Sequence, residues 1–214
     1  MSGSNQDIID MLREMGLDGD EAQPGASDDF RGGRTASPDD IFIALMGVTG
    51  AGKSSFISCC CDDSAPVQTV YLIDTPGFDD SVRTDSQVLR EIASWLSRSY
   101  TNKIFLHGII YVHRISDRRM QGSALRNLLA FKRLCGDNGL KKVLLVTTMW
   151  DEVPRDEATV REEELVSKPE FWGRMIQKGS TTHRHTNTIT SARDIITRIV
   201  NGRDGESGPK PPRQ

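Results

Sequence analysis

The run Gly47-Val48-Thr49-Gly50-Ala51-Gly52-Lys53-Ser54 follows directly on an apolar stretch, Ile41 to Met46. It matches the pattern G-x-x-x-x-G-K-[ST] in full, in the context that pattern needs: a buried strand, a glycine-rich turn, then a helix. In such a turn successive backbone N–H groups wrap a phosphate, and the helix N-terminus faces the same anion. A side chain at Gly47 or Gly52 would obstruct the close approach of backbone to ligand. Gly47, Thr49, Gly50, Ala51, Gly52, Lys53, Ser54 and Ser55 are therefore the candidate phosphate-binding set. Lys53 is placed to bridge β- and γ-phosphate oxygens, and the Ser54 hydroxyl to ligate magnesium.

The rest of the chain agrees with a single α/β domain between two tails. Residues 1–38 are rich in Ser, Gly, Asp and Pro and read as a flexible acidic leader. Within it Ile8, Met11, Leu12 and Met15 have helical spacing, which suits a short docking helix or a transient one equally. Residues 39–201 carry the alternating pattern, and residues 202–214 read as a disordered tail. Strands are expected at Ile41–Met46, Val67–Ile73, Ile104–Val112 and Val143–Thr147, with a weak one near Ser180–His185. Helices are expected at 52–60, 85–99, 122–135 and 155–178, interrupted at Pro169, with a last one bearing Ala192, Ile195, Ile196 and Ile199 on one face. Continuous apolar strands between amphipathic helices imply a mostly parallel sheet covered on both faces, with ligand at the carboxyl ends of the strands.

Charge and cysteine usage narrow the function classes. Residues 1–40 hold ten acidic and three basic residues, net −7, which leaves twenty acidic and twenty-four basic residues, net +4, in the body. The basic residues are scattered and not interleaved with aromatics, so nothing points to nucleic acid. No apolar run reaches the eighteen or so residues of a membrane span, and the N-terminus lacks the form of a secretory signal, so a cytoplasmic location is expected. Cys59, Cys60 and Cys61 are adjacent and Cys135 stands alone. That is neither a disulfide framework nor a zinc spacing, and the four read as small, mostly buried thiols.

Two further strings complete the constellation. Asp74-Thr75-Pro76-Gly77 ends the second strand, 27 residues after Gly47. Asp74 would reach magnesium through a water, and the Gly77 N–H would contact the γ-phosphate. Thr147-Thr148-Met149-Trp150-Asp151 ends the Val143–Thr147 strand. Guanine presents N1–H and a 2-amino group as adjacent donors, and one carboxylate, Asp151, can accept both. Adenine offers no such pair.

In this order the phosphate loop, D-T-P-G and T-x-x-D resemble the P-loop GTPases. Phrases such as GVTGAGKSSF, LIDTPGFDD and TTMWD look like the septin-related branch, which contains the avirulence-induced, immunity-associated and chloroplast-envelope import GTPases. GIIYVHRISDRRMQG and LLVTTMWDEV look like fungal G-domain proteins of that group. The resemblance covers about residues 41–200 and implies a three-layer α/β/α G domain, GTP/GDP with Mg²⁺, and nucleotide-dependent dimerisation. Lys53 and Gly77 would be its catalytic groups, Ser54 and Asp74 its metal ligands, and Thr148 and Asp151 its base-side residues.

Four departures limit what the resemblance lends. The lysine usual before the base-reading aspartate is replaced by Met149, which can cover a base but carries no charge. Phe78 stands where Ras-like enzymes carry a water-orienting glutamine, so hydrolysis is expected to be slow. His113, Arg114, Arg118 and Arg119 could contribute across a homodimer, or be solvated surface charge. Only Asp62 to Ile73 separate the first helix from Asp74, so the switch I segment and its edge strand are expected to be missing. The exposed sheet edge that results would invite pairing with another chain. The last base-contacting loop is weakly marked: Ser191-Ala192 lies inside the final helix, and Asn187 in the loop Arg184–Thr188 is the better candidate. Two readings follow: a GTP-binding protein with slow Mg-dependent hydrolysis, or a pseudo-GTPase acting as a binding or assembly module.

Overall fold

A computed structural model describes residues 40–60, 69–78, 87–88 and 106–201. Strand β1, Ile41–Gly47, is buried at every position. The chain then passes through the glycine-rich turn into helix α1, Lys53–Cys60. Strands β2, Val70–Asp74, and β3, Leu106–Arg114, follow, then helix α2, Gly122–Gly139. Strand β4, Val143–Thr148, is buried throughout and leads to helix α3, Arg155–Ser167. After an irregular turn at Pro169–Gly173 come helix α4, Arg174–Gln177, strand β5, Thr181–Arg184, and helix α5, Ile189–Val200.

The five strands form one sheet in the order β2-β1-β3-β4-β5, and every pairing is parallel. The physical reason is visible in β1 and β4. Their residues are apolar on both faces, so both faces have to be covered, and only crossover helices cover both faces of a parallel sheet. Alternation along β3 then assigns the faces. Tyr111 stacks on Phe131 of α2 with ring centroids 4.6 Å apart, and His113, two residues on, meets the edge of Trp172.

The strand order matches the expected architecture, and several bounds differ from the sequence reading. The second strand begins at Val70, not Val67, and includes Asp74. The third runs two residues past Val112, to Arg114. Helix α2 runs on to Gly139, but Gly136 has φ 57° and ψ 171°, so the regular helix breaks where the sequence placed its end. Pro169 divides the long helical stretch as expected, because proline brings no N–H to the ladder. The turn it starts holds Phe171 at φ −92°, ψ −113° and tips Trp172 fully into the core. Among the described residues β2 and β5 are the two edge strands, and residues 61–68, on which the expectation of a missing switch I segment and edge strand turns, lie outside the described residues. The leader helix and the C-terminal tail lie outside the described residues. So does the 85–99 helix, apart from the helical pair Gln87-Val88.

Leu145, fully buried in β4, reports on this packing. Leu145→Ala should cost about 2–5 kcal/mol of stability, read as a lower urea midpoint with an unchanged slope.

Candidate functional site

Because all five strands run the same way, the loops after β1 to β5 gather at one edge of the sheet. From β1 the chain goes to β2 on one side and later to β3 on the other, so the crevice at the carboxyl ends of β1 and β3 is the topological switch point. Gly47 stands in that crevice. Its φ is +146°, and a Cβ there would lie 2.3 Å from the Val112 carbonyl oxygen, inside the backbone of β3. Only glycine fits.

At the start of α1, Lys53 is buried and its Nζ donates to the carbonyls of Gly47 and Val48, each at 3.2 Å. Burial lowers its pKa from the ordinary lysine range, with the Asp74 charge opposing the shift. The next residue, Ser54, is exposed and its Oγ donates to Asp74 Oδ2 at 2.9 Å. Sequence separation 20 thus becomes direct contact. Ser55 follows, exposed in the first turn of the helix.

The D-T-P-G segment is built onto the phosphate loop. Thr75 Oγ1 donates to the Leu45 carbonyl at 2.6 Å, and the Thr75 N–H reaches the same oxygen. Phe78 N–H donates to the Gly47 carbonyl at 3.2 Å, and Thr49 N–H donates to the Phe78 carbonyl at 2.7 Å. Between them Gly77 presses on the phosphate loop, and a Cβ there would fall 2.4 Å from Thr49 Oγ1 and 2.7 Å from Thr49 N. Phe78 itself is fully buried. The sequence reading treated Phe78 only as a missing glutamine and did not single out Thr75. An apolar residue between Gly77 and Asp79-Asp80 was the available signal that this segment is anchored.

On the base side, Thr148 Oγ1 donates to the Ala51 carbonyl at 2.8 Å and ties the end of β4 to the phosphate loop. Met149 is left-handed, at φ 59°, and the Ser116 hydroxyl lies 3.6 Å from its sulfur. Asp151 sits exposed in the 3₁₀ turn Trp150–Glu152 and bonds to no described residue. In the loop after β5, Asn187 is also left-handed, at φ 54°, and its Oδ1 lies 3.8 Å from Cys59 Sγ of α1. Ser191 lies inside the last helix, as expected. It lies in its first turn, where its N–H is capped by Thr188 Oγ1 and its Oγ meets His185 Nδ1 at 2.8 Å. His185 is buried against the Phe56 ring with Nε2 unpartnered. Sequence reasoning missed His185, since a lone histidine in a polar loop carries no signal.

The basic group, expected after the third strand, divides: His113 and Arg114 are the last two residues of β3, and Arg118 and Arg119 follow it. His113 is buried, and burial pushes its imidazole down to about 4, helped by Arg114 and opposed by Asp117. Arg114 pairs with Asp117 at 2.6 Å, while Arg118 and Arg119 are exposed. Cys59 and Cys60 are half-buried free thiols and Cys135 is buried, its thiol pushed up by burial. Among the described residues no three His, Cys, Asp or Glu side chains form a metal cluster. Nor is any described helix long and apolar enough to cross a membrane.

Sheet order, glycine turn and strand-end loops together define the three-layer P-loop fold of a G domain. The crystal structure of a dimerization-deficient mutant of Toc33 from Arabidopsis thaliana shares it, with a TM-score of 0.58 at 14% identity over 94% of each chain. Toc33 in complex with Mg²⁺ and GMPPNP gives 0.57 at 15% identity, again over 94% of each chain. A third structure comes from work on dimerization and GTPase activity of the chloroplast translocon components atToc33 and psToc159. It gives 0.53 at 13% identity, over 94% of this chain and 90% of the other. At such identities the likeness is one of fold. No protein-family model and no curated protein sequence matches the chain.

Two outcomes follow from this geometry. Gly77→Ala should push the D-T-P-G segment off the phosphate loop, seen as faster hydrogen exchange at the Thr49 and Phe78 amides. His113 is held neutral, so the folded state binds fewer protons than the unfolded one below pH 6.5. Its stabilisation is complete above that pH and is lost as pH falls toward about 4. His113→Gln should flatten the stability–pH curve in that window, measured by urea unfolding at several pH values.

Proposed function

We propose that this protein binds guanine nucleotide with Mg²⁺ and hydrolyses GTP slowly to GDP and phosphate. The observation that carries the reading is the contact of Ser54 Oγ with Asp74 Oδ2 at 2.9 Å, beside a buried Lys53 and a turn that only glycine can make. Two adjacent oxygens suit a hard cation that takes few protein ligands and leaves its other positions to water and phosphate. When bound, Mg²⁺ would supply charge neutralisation across the β- and γ-phosphates.

The chain's own residues would do the rest. Lys53 would turn from the Gly47 and Val48 carbonyls onto phosphate oxygens, where an anion relieves the cost of its buried charge. The phosphate-loop amides would hold the β-phosphate, and the Asp151 carboxylate would accept both guanine donors. Gly77 lies so close to Thr49 that a γ-phosphoryl group has to separate them before the Gly77 N–H can serve it. Phe78 offers no atom to orient water, and its buried ring opposes that separation. Both features support slow turnover.

Among the structural neighbours, dimerization is important for the GTPase activity of atToc33 and psToc159. By analogy we place the exposed Arg118 and Arg119 at a homodimer contact across the nucleotide face, in a septin-related type of G domain. The second reading, a pseudo-GTPase serving as a binding module, draws on the Thr49–Phe78 contact, which holds the D-T-P-G segment where a triphosphate would need room.

Titration with fluorescent GDP, GTP and ATP analogues, with and without Mg²⁺, tests the proposal. Guanine-specific binding is expected, with Asp151→Ala raising Kd about tenfold to a hundredfold, the equivalent of losing charge-assisted hydrogen bonds. Binding of ATP as tight as GTP would sink the base assignment. Multiple-turnover phosphate release abolished by Lys53→Ala separates enzyme from module, and binding without release favours the module.

A further inference from the structure

Of the residues expected on the base side, Thr148 is buried, while Asp151 and Asn187 are exposed and lie on turns. Asp151 bonds to no described residue, and Met149 brings no charge to its turn. Something else has to hold these turns if a carboxylate is to meet two donors at once. Behind them lies a closed ring of contacts that the nucleotide reading leaves unused. Trp150 Nε1 donates to Thr147 Oγ1 at 3.0 Å, and Thr147 Oγ1 lies 3.5 Å from Glu162 Oε1. Glu162, on α3, receives Arg184 Nε at 3.1 Å and 2.9 Å on its two oxygens, with Arg184 Nη2 also on Oε2. The Arg184 guanidinium then closes the ring, its carbon 4.2 Å from the centre of the Trp150 ring.

This ring joins three elements. Thr147 is the next-to-last residue of β4, Glu162 stands on α3, and Arg184 ends β5, where it is the register partner of Thr147. Trp150 is one residue before Asp151, and Arg184 is three before Asn187. We propose that the Trp150–Thr147–Glu162–Arg184 ring is the positioning device for base recognition. In this role Arg184 is the specificity-determining residue that locks the β4 and β5 turns to each other. The proposal rests on the assignment of Asp151 to guanine.

The chemistry explains the residue types. Arginine can offer a planar fork to a carboxylate and its face to an indole at the same time, and lysine can do only one of these. Glu162 has 17% of its side chain exposed and Arg184 42%, so the pairing is partly screened and what it supplies is fixed geometry through the doubled hydrogen bonds. The ring touches no candidate phosphate-binding residue of the glycine-rich turn. Its loss should therefore blur the reading of the base and leave phosphate affinity in place.

The test compares affinity for GDP with affinity for IDP, which lacks the 2-amino group that Asp151 would accept. Wild-type protein should prefer GDP about tenfold, the worth of one charge-assisted hydrogen bond. Asp151→Ala sets the floor, with a ratio near one. Arg184→Met and Glu162→Gln should each cut the ratio at least about threefold, with IDP, which keeps the N1–H donor, weakened less than GDP, and Arg184→Lys should recover only part of the ratio. Should Arg184→Met not fold, Trp150→Phe and Arg184→Lys carry the same comparison. A wild-type ratio in folded ring variants overturns the proposal but leaves the Asp151 assignment standing. A wild-type protein with no preference for GDP over IDP overturns both. A lowered unfolding midpoint with an unchanged ratio marks the ring as purely structural and also overturns the proposal.

Discussion

The approach of Gly47 to the Val112 carbonyl sets where every other group of the site stands. A strand ending in a side chain at this point would be pushed away from β3, and the turn after it would open. With glycine there, β1 pairs with β3 up to Val112, and the phosphate loop closes directly over the sheet edge. Lys53 is then delivered to the loop's own carbonyls, and Ser54 to Asp74. One missing Cβ thus positions three residues, Lys53, Ser54 and Asp74, because the parallel sheet is too tightly packed to yield.

The same economy governs the D-T-P-G segment. Thr75 and Phe78 continue the β1 ladder beyond β2, with Gly77 thin enough to lie between them on Thr49. The segment is therefore committed to backbone contacts with the phosphate loop through Phe78 and with β1 through Thr75, while the γ-phosphoryl contact proposed for it would call on the neighbouring Gly77 N–H. A buried phenylalanine favours the contacts already made. This gives the proposed slow hydrolysis a structural cause beyond the mere lack of a glutamine. It also shows why the enzyme and module readings differ in degree: both depend on how readily one loop leaves one amide.

On the other side of the crevice, rigidity comes from side chains. The turns after β4 and β5 have little regular hydrogen bonding, and their anchors are the Thr148–Ala51 contact, the His185–Ser191 pair and the ring around Arg184. The first and the last of these join residues distant in the chain, and the His185–Ser191 pair spans six positions. A site whose phosphate half is built from backbone and whose base half is built from side chains should tolerate different changes in its two halves.

Much of this was legible in the chain itself. Ile41–Met46 and Val143–Thr147 announced strands buried on both faces, and the pattern around Gly47 announced the turn, because local backbone geometry and apolar periodicity are properties of neighbouring residues. Asp74 and Asp151 were legible as strand-end carboxylates for the same reason. The bounds of β2, the anchoring of Phe78 and the burial of His185 were not. Nor was the ring joining Thr147 and Trp150 to Glu162 and Arg184, which spans 37 positions between its outer members Thr147 and Arg184. Sequence by itself determined the order of strands and helices and the chemistry available at their ends. Only the tertiary structure decided which of those ends touch, since contacts between residues far apart depend on sheet register and helix packing, and no local pattern encodes them.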